Sequence, residues 1–105
     1  MTPSDGRLFP VTLLTIVAET VLEEELTRRV MGLGATGYTV TASRGRGSKG
    51  MRTGDIPGEG VRIEVLAGED AARSILDMLA SEYFPHYAVA AWLTDVQVVR
   101  GEKYA

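Results

Sequence analysis

Hydrophobic residues recur along the chain with two different periods, one typical of strands and one typical of helices. The order of the segments with each period restricts the folds available to the chain. Alternation with a period of two predicts four strands, at about residues 8–18, 38–43, 61–65 and 88–100. Spacings of three and four residues predict two helices, at about 20–33 and 69–79. The predicted order is therefore strand, helix, strand, strand, helix, strand.

This order is the βαββαβ plan of ferredoxin-like α+β proteins, in which a four-stranded antiparallel sheet carries two helices on one face. With 105 residues, of which 45% are hydrophobic, the chain has room for a single domain over 1–105. Residues 1–7 show no periodicity and are expected to form a disordered tail. The fold prediction thus concerns nearly the whole chain.

The first helix is predicted to begin at a capping box, because Thr20 is followed three positions later by Glu23. Gly32 and Gly34 are expected to end it. Two acid-first pairs are predicted on its solvent side, Glu24 with Arg28 and Glu25 with Arg29. The predicted buried positions of the two helices are Leu22, Leu26, Val30 and Leu33, and Ala72, Ile75, Leu76 and Leu79.

Both faces of the predicted sheet are apolar. The first strand places Val11, Leu13 and Val17 on one side and Leu14 and Ile16 on the other. The last strand is similar, with Val89, Ala91 and Leu93 against Ala90, Trp92 and Val96. Because the two helices cover only one face, the other is expected to bind further copies of the chain in a closed homo-oligomer, with Trp92 in the core or at that interface.

A glycine-rich basic segment joins the second and third strands. Residues 44–52 contain four cations and three glycines and no acid, and six of the twelve glycines lie between 45 and 60. Glycine lets backbone N–H groups approach an anion closely, while arginine and lysine supply charge. The segment therefore predicts an anion-binding loop over 44–60, although a basic loop in solvent remains an alternative on this evidence.

Known phosphate motifs do not explain this segment. Gly45, Gly47 and Gly50 have the spacing of the dinucleotide-binding fingerprint, but the residues that follow cannot form the helix that this fingerprint requires. The ending of the P-loop, glycine-lysine-serine or threonine, is also missing. What remains is a set of loop amides, the Ser48 hydroxyl and cations that suit one or more phosphate groups.

Overall composition excludes several other classes of protein. The net charge of -3 and the pI of about 5.1 argue against a general nucleic-acid binder. The chain has no cysteine, no apolar run of membrane-spanning length and no signal-peptide pattern, so a cytoplasmic location is expected. No metal-ligand cluster is evident, and neither a metal nor a permanently bound cofactor is expected.

Three stretches together carry a resemblance to a known family. They are Gly34-Ala35-Thr36-Gly37-Tyr38-Thr39-Val40, then Gly45-x-Gly47-Ser48-Lys49-x-x-Arg52, and Tyr83-Phe84-x-x-Tyr87 before the last strand. In this combination, over about residues 11–104, the chain resembles the PII-like signalling proteins, and within them the SbtB and carboxysome-associated (CPII) branch.

The resemblance implies a homotrimer of ferredoxin-like subunits whose clefts bind an adenine nucleotide, AMP, ADP, ATP or cyclic AMP. The segment 44–60 would be the T-loop, and the neighbouring subunit would complete the site. Bicarbonate is implied as a second ligand, and a membrane bicarbonate transporter as the regulated partner. The residues expected to bind nucleotide are Gly37, Tyr38 and Thr39 around the adenine, and Arg46, Gly47, Ser48, Lys49 and Arg52 in the loop.

Two departures qualify the resemblance. Lys49 stands where relatives often have arginine, which gives a point charge in place of a fork. The Gly-Asp-Gly-Lys loop of classical PII proteins is replaced by Pro85-His86-Tyr87-Ala88, which argues against a tight sensor of ATP and 2-oxoglutarate. A non-enzymatic regulator of inorganic carbon uptake is the expectation. The alternatives are a small ferredoxin-like phosphate-ester hydrolase and a single-strand RNA-binding module, which needs aromatic residues on an exposed strand face.

Overall fold

The computed structural model describes residues 8–45 and 58–99, and within them the predicted order of elements is confirmed. A short 3-10 turn, Thr20–Leu22, precedes the first helix. The four strands are β1 (Phe9–Glu19), β2 (Thr39–Gly45), β3 (Gly58–Ala67) and β4 (Val89–Val98), and the two helices are α1 (Glu23–Gly32) and α2 (Glu69–Glu82).

The strands form one antiparallel sheet in the order β2-β3-β1-β4, as the ferredoxin-like plan requires. The β2–β3 ladder continues to the pairs Arg44 with Glu59 and Gly45 with Gly58. Both strands therefore run further than the alternation of side chains predicts, because backbone pairing between antiparallel neighbours needs no apolar face. The remainder of the connecting segment, 46–57, lies outside the described residues.

One face of the sheet packs against both helices and forms the core. Because residues paired across antiparallel strands share a face, the register places the innermost side chains of β1 and β3 together there. The predicted helix stripes point into the same layer, and Leu26 is fully buried, which contributes roughly 1.5–3 kcal/mol. The fully buried large apolar residues are Leu14, Ile16, Leu26, Val30, Ile63, Val65, Ile75 and Leu79.

Two predictions about α1 are wrong. Thr20 lies in the 3-10 turn, and neither this turn nor α1 has a side-chain cap hydrogen bond, so the capping box does not form. Arg29 pairs with Glu82 of α2 through two hydrogen bonds of 3.0 and 3.1 Å, and not with Glu25. Tertiary contacts outweighed the local spacing, because the packed helices offer Arg29 a bidentate carboxylate.

A second polar contact joins the two helices beside this ion pair. The Tyr83 hydroxyl donates to the Glu25 carboxylate, and the Arg29 guanidinium lies 5.9 Å from the centre of the Tyr83 ring. Burial and then the bond to Glu25 raise the pKa of Tyr83, while the hydrogen bonds from Arg29 lower the pKa of Glu82. These contacts fix the end of α2, where the turn to β4 begins.

The other face of the sheet carries no helix in the described part of the chain, and it is more polar than the sequence predicts. Its apolar side chains surround Thr15, Arg62 and Glu64. Arg62 lies 5.7 Å from the ring centre of Trp92, which is 42% exposed. Within residues 8–45 and 58–99, neither helix has the length and apolar character needed to cross a membrane.

Candidate functional site

A pocket of about 500 Å3 opens on the helix-free face, beside the connection between α1 and β2. Its floor is apolar and comes from three strands, with Leu13 of β1, Leu66 of β3 and Val96 of β4. Its wall is the run Thr36–Thr39, and Glu64 is the carboxylate that the described residues contribute. The volume falls within the range of about 300–1,000 Å3 that small-molecule pockets occupy.

The end of α1 explains why this run reaches the pocket. Gly34 has a φ of +111°, a conformation that side-chain-bearing residues rarely adopt, and its N–H donates to the Met31 carbonyl. The next residue, Ala35, is buried and donates to the Val30 carbonyl at 3.2 Å. The helix therefore stops at a fixed point, and the chain turns to place Thr36–Thr39 along the sheet.

The polar groups of the pocket come from two adjoining strands of the sheet, β2 and β3. Thr39 stands directly opposite Glu64 in the β2–β3 ladder, so the two side chains share the helix-free face. Glu64 also contacts Arg62, two residues away on the same face, with 3.7 Å between Nε and Oε2. Because both side chains are partly exposed, this ion pair is weak, and the carboxylate keeps lone pairs for a ligand.

This arrangement suits a flat, largely apolar ring that carries N–H donors at its edge. The three aliphatic side chains of the floor offer contact area, while Glu64 accepts hydrogen bonds and Thr39 both donates and accepts. Tyr38, at 47% exposed, adds an aromatic side chain at the rim. Among the described residues, no group of three or more histidine, cysteine or acidic side chains is placed to hold a metal ion.

Three of the residues predicted to bind nucleotide line this pocket. They are the consecutive residues Gly37, Tyr38 and Thr39, which lie together in its wall. The other predicted residues lie outside the described residues and stay predictions: Arg46, Gly47, Ser48, Lys49 and Arg52.

Sequence reasoning missed the floor and the carboxylate. Leu13, Leu66 and Val96 follow the ordinary alternation of a strand. Only the register between strands brings the three side chains side by side on one face of the sheet. Glu64 gave a usable signal, because it alternates with Ile63 and Val65 and therefore faces away from the core. Pairing it with Thr39 needed the alignment of β2 with β3, which the sequence alone does not specify.

Comparison with known proteins agrees with this architecture. The sequence profile of the family "Nitrogen regulatory protein P-II" matches residues 11–103. A PII-like signalling protein from Thermus thermophilus is 49% identical, with a TM-score of 0.81, and the alignment covers 93% of this chain and 98% of that chain.

Structures of CPII from Thiomonas intermedia K12 are more distant. One, bound to ADP and bicarbonate, is 26% identical with a TM-score of 0.79, and the alignment covers 94% of this chain and 98% of that chain. Another, bound to ADP, AMP and acetate, is 24% identical with a TM-score of 0.79, over 93% of this chain and 97% of that chain, and supports the fold alone. Since the profile spans nearly the whole sequence, this chain belongs to the nitrogen regulatory protein P-II family, whose members are signalling regulators and not enzymes.

Proposed function

We propose that this protein is a PII-like regulator that binds an adenine nucleotide, AMP, ADP, ATP or cyclic AMP, at the pocket beside Thr36–Thr39. The observation that carries the proposal is the placement of Thr39 opposite Glu64 above an apolar floor. The aliphatic floor packs against the purine, and Glu64 accepts a hydrogen bond from the exocyclic amine of adenine. Guanine has a carbonyl oxygen at that position, which the carboxylate repels.

The basic segment supplies the phosphate contacts in this proposal. Ser48, Lys49 and Arg52 bind the phosphates, and Arg46 and Gly47 line the same path, by resemblance to the family. Thr39 and Gly45 stand at opposite ends of β2, roughly 20 Å apart at about 3.3 Å per residue. One nucleotide that contacts both regions therefore spans much of the length of β2. On this proposal the phosphates hold the basic segment, which is how the nucleotide alters the surface offered to a target.

The proposed assembly is a homotrimer formed through the helix-free sheet face. Trp92, at 42% exposed, is a large aromatic residue on that face, and the pocket opens on the same side of the sheet. A neighbouring subunit packed there covers apolar surface and supplies the missing wall of the pocket. Nucleotide binding and assembly are therefore expected to stabilise one another.

Bicarbonate is proposed as a second ligand. The protein is proposed to act in the cytoplasm, with a membrane bicarbonate transporter as its target. Support comes from CPII of Thiomonas intermedia K12, the 26% identical structure bound to ADP and bicarbonate. The sequence resemblance to the carboxysome-associated branch points the same way. On this proposal the protein adjusts uptake of inorganic carbon to the adenine-nucleotide state of the cell.

Isothermal titration of the full chain with AMP, ADP, ATP, cyclic AMP and GDP tests the nucleotide proposal. Adenine nucleotides are expected to bind with micromolar dissociation constants and GDP far more weakly. Thr39→Val and Glu64→Leu should each weaken the binding of the preferred nucleotide by about tenfold, since each loses a ligand hydrogen bond of about 1.4 kcal/mol. Lys49→Ala should weaken ADP more than it weakens adenosine.

Thr41→Val is the matched control, because Thr41 lies on the same strand and face as Thr39 but does not line the pocket. Its affinity for nucleotide should equal that of the wild type. If none of the adenine nucleotides binds below millimolar concentration, the nucleotide proposal is wrong. Repeating the ADP titration with and without bicarbonate tests the second ligand, and equal affinities in both would remove bicarbonate from the proposal.

A further inference from the structure

A second concavity lies on the opposite side of the sheet from the nucleotide pocket. This groove, of about 540 Å3, runs between the first turns after β1 and the outer part of the β2–β3 hairpin. Its floor is formed by Val40, Ala42 and Val61, which share the helix-bearing face. Its rim is polar and comprises Thr20, Glu23, Ser43, Arg44, Glu59 and Gly60.

The groove exists because the helices do not extend over β2. Ile63 of β3 is fully buried beneath them, while its partner Val40 on β2 is half-buried and Ala42 is exposed. In addition, β2 is an edge strand of the sheet, so one side of its backbone has no neighbouring strand among the described residues. Edge strands with free N–H and C=O groups are the sites at which extended peptides add to a sheet.

The charges at the rim indicate what kind of peptide fits. Glu23 and Glu59 lie at the rim with Arg44, which leaves an excess of one negative charge. Among the residues that the structure describes, neither Glu23 nor Glu59 takes part in an ion pair. Glu23 therefore remains available to a cation on a bound segment, whereas Glu59 stands opposite Arg44 in the β2–β3 ladder.

A large exposed apolar side chain follows the rim residue Thr20 in the sequence. Val21, in the 3-10 turn between Thr20 and Leu22, is 81% exposed, the most exposed large hydrophobic residue among those described. Its neighbour in sequence, Thr20, lies at the rim of the groove. Apolar surface bordered by charge is characteristic of protein interaction sites.

We infer that this groove binds a short extended segment of a partner protein, in which apolar residues alternate with arginine or lysine. The segment pairs with the free edge of β2, places an apolar side chain on the floor formed by Val40, Ala42 and Val61, and directs a cation to Glu23. Alternation is required because successive side chains of an extended segment point to opposite sides. The groove and the nucleotide pocket use opposite faces of the sheet, so this inference does not depend on nucleotide binding.

A selection from a displayed library of random seven-residue peptides, carried out on the full chain, tests this inference. The enriched peptides are expected to combine aliphatic residues with arginine or lysine. Titration of a resynthesised peptide into isotope-labelled protein, followed by amide chemical shifts, should perturb β2 and the first turn of α1. Ala42→Arg fills the floor with a charged side chain and should weaken binding at least about tenfold, whereas Ala80→Arg, at an exposed position of α2, should not.

A second pair of variants guards against misfolding. Glu23→Gln should weaken the peptide by about threefold, the scale of a partly exposed ion pair, while Glu24→Gln on the same helical turn should leave it unchanged. Ala42→Arg should retain the nucleotide affinity of the wild type. The inference is overturned if no peptide is enriched, if the enriched peptides are acidic, if Ala42→Arg binds them normally, or if the shifts map to the helix-free face.

Discussion

Replacing Thr15 with valine is expected to stabilise the protein, whereas most buried substitutions destabilise. Thr15 lies in the middle of β1, is fully buried, and its hydroxyl has no hydrogen-bond partner among the described residues. Valine has nearly the same shape but carries a methyl group in place of the hydroxyl. The substitution therefore removes a desolvated polar group and leaves the surrounding packing in place.

The expected size follows from the desolvation of that hydroxyl. A buried hydroxyl without a partner costs about 1–3 kcal/mol. Strand propensity adds nothing substantial, because both residues are β-branched. We therefore expect the free energy of unfolding to rise by about 1–2 kcal/mol, and Tm to rise by about 4–8 °C for each kcal/mol in a domain of this size.

Equilibrium unfolding in urea, at two protein concentrations about twentyfold apart, measures this effect. Comparing two concentrations is necessary because the stability of a homo-oligomer depends on protein concentration. Thr15→Ser is the matched control, since it keeps the hydroxyl and loses the methyl group. It should lower the free energy of unfolding by about 1 kcal/mol.

A lower free energy of unfolding for Thr15→Val would refute the reasoning. That result would mean that the hydroxyl is hydrogen-bonded in the protein in solution. A loss of the same size at both concentrations would place the partner within one subunit. A loss that grows as the protein is concentrated would place the partner in another copy, across the helix-free face.

Two further predictions concern the polar contact between the helices and the helix-free face. In the wild type, the folded-state pKa of Tyr83 lies above the ordinary 10.0. The stability that the neutral phenol contributes is therefore complete below pH 10 and is lost as pH rises through the folded pKa, by at most about 1.4 kcal/mol per pH unit. Tyr83→Phe has no such group, so its free energy of unfolding should fall less steeply above pH 10. Urea unfolding between pH 8 and 11 checks this, and parallel losses in both proteins would contradict it. Trp92→Ala should raise the dissociation constant of the oligomer roughly thirtyfold, the scale of about 2 kcal/mol for an aromatic hot spot, while Val21→Ala, exposed outside that face, should leave it unchanged. Sedimentation equilibrium measures both, and equal dissociation constants for Trp92→Ala and the wild type would exclude this face as the interface.

The element order and the core were accessible from the sequence because each depends on local periodicity. The spacing of Leu22, Leu26 and Val30 identified the buried side of α1 correctly, and Gly34 marked the end of that helix through its left-handed backbone. The parity of β1 and β4 likewise separated the two faces of the sheet. Periodicity fixes these features because a side chain's direction follows from its position within a helix or strand.

Contacts between distant segments were not accessible in the same way. Arg29 pairs with Glu82 and not with Glu25 four residues before it, because the packing of α1 on α2 supplies a bidentate partner. The capping box failed because the chain enters α1 through a 3-10 turn, which leaves Thr20 outside the position of the cap. Both errors came from treating a local pattern as sufficient where tertiary geometry decided.

The sequence by itself determined the order of strands and helices, and it predicted the glycine-rich cations of residues 44–52 as phosphate contacts. The resemblance to the family added Gly37, Tyr38 and Thr39 as predicted nucleotide contacts. Only the tertiary structure decided that Glu64 faces Thr39, that Leu13, Leu66 and Val96 form one floor, and that no strand within 8–45 and 58–99 pairs with the outer edge of β2. The physical reason is that composition and periodicity determine only local structure, within a few residues along the chain. The alignment of one strand with another is set by the packing of the whole sheet, and a shift of one residue would turn every one of these side chains to the opposite face.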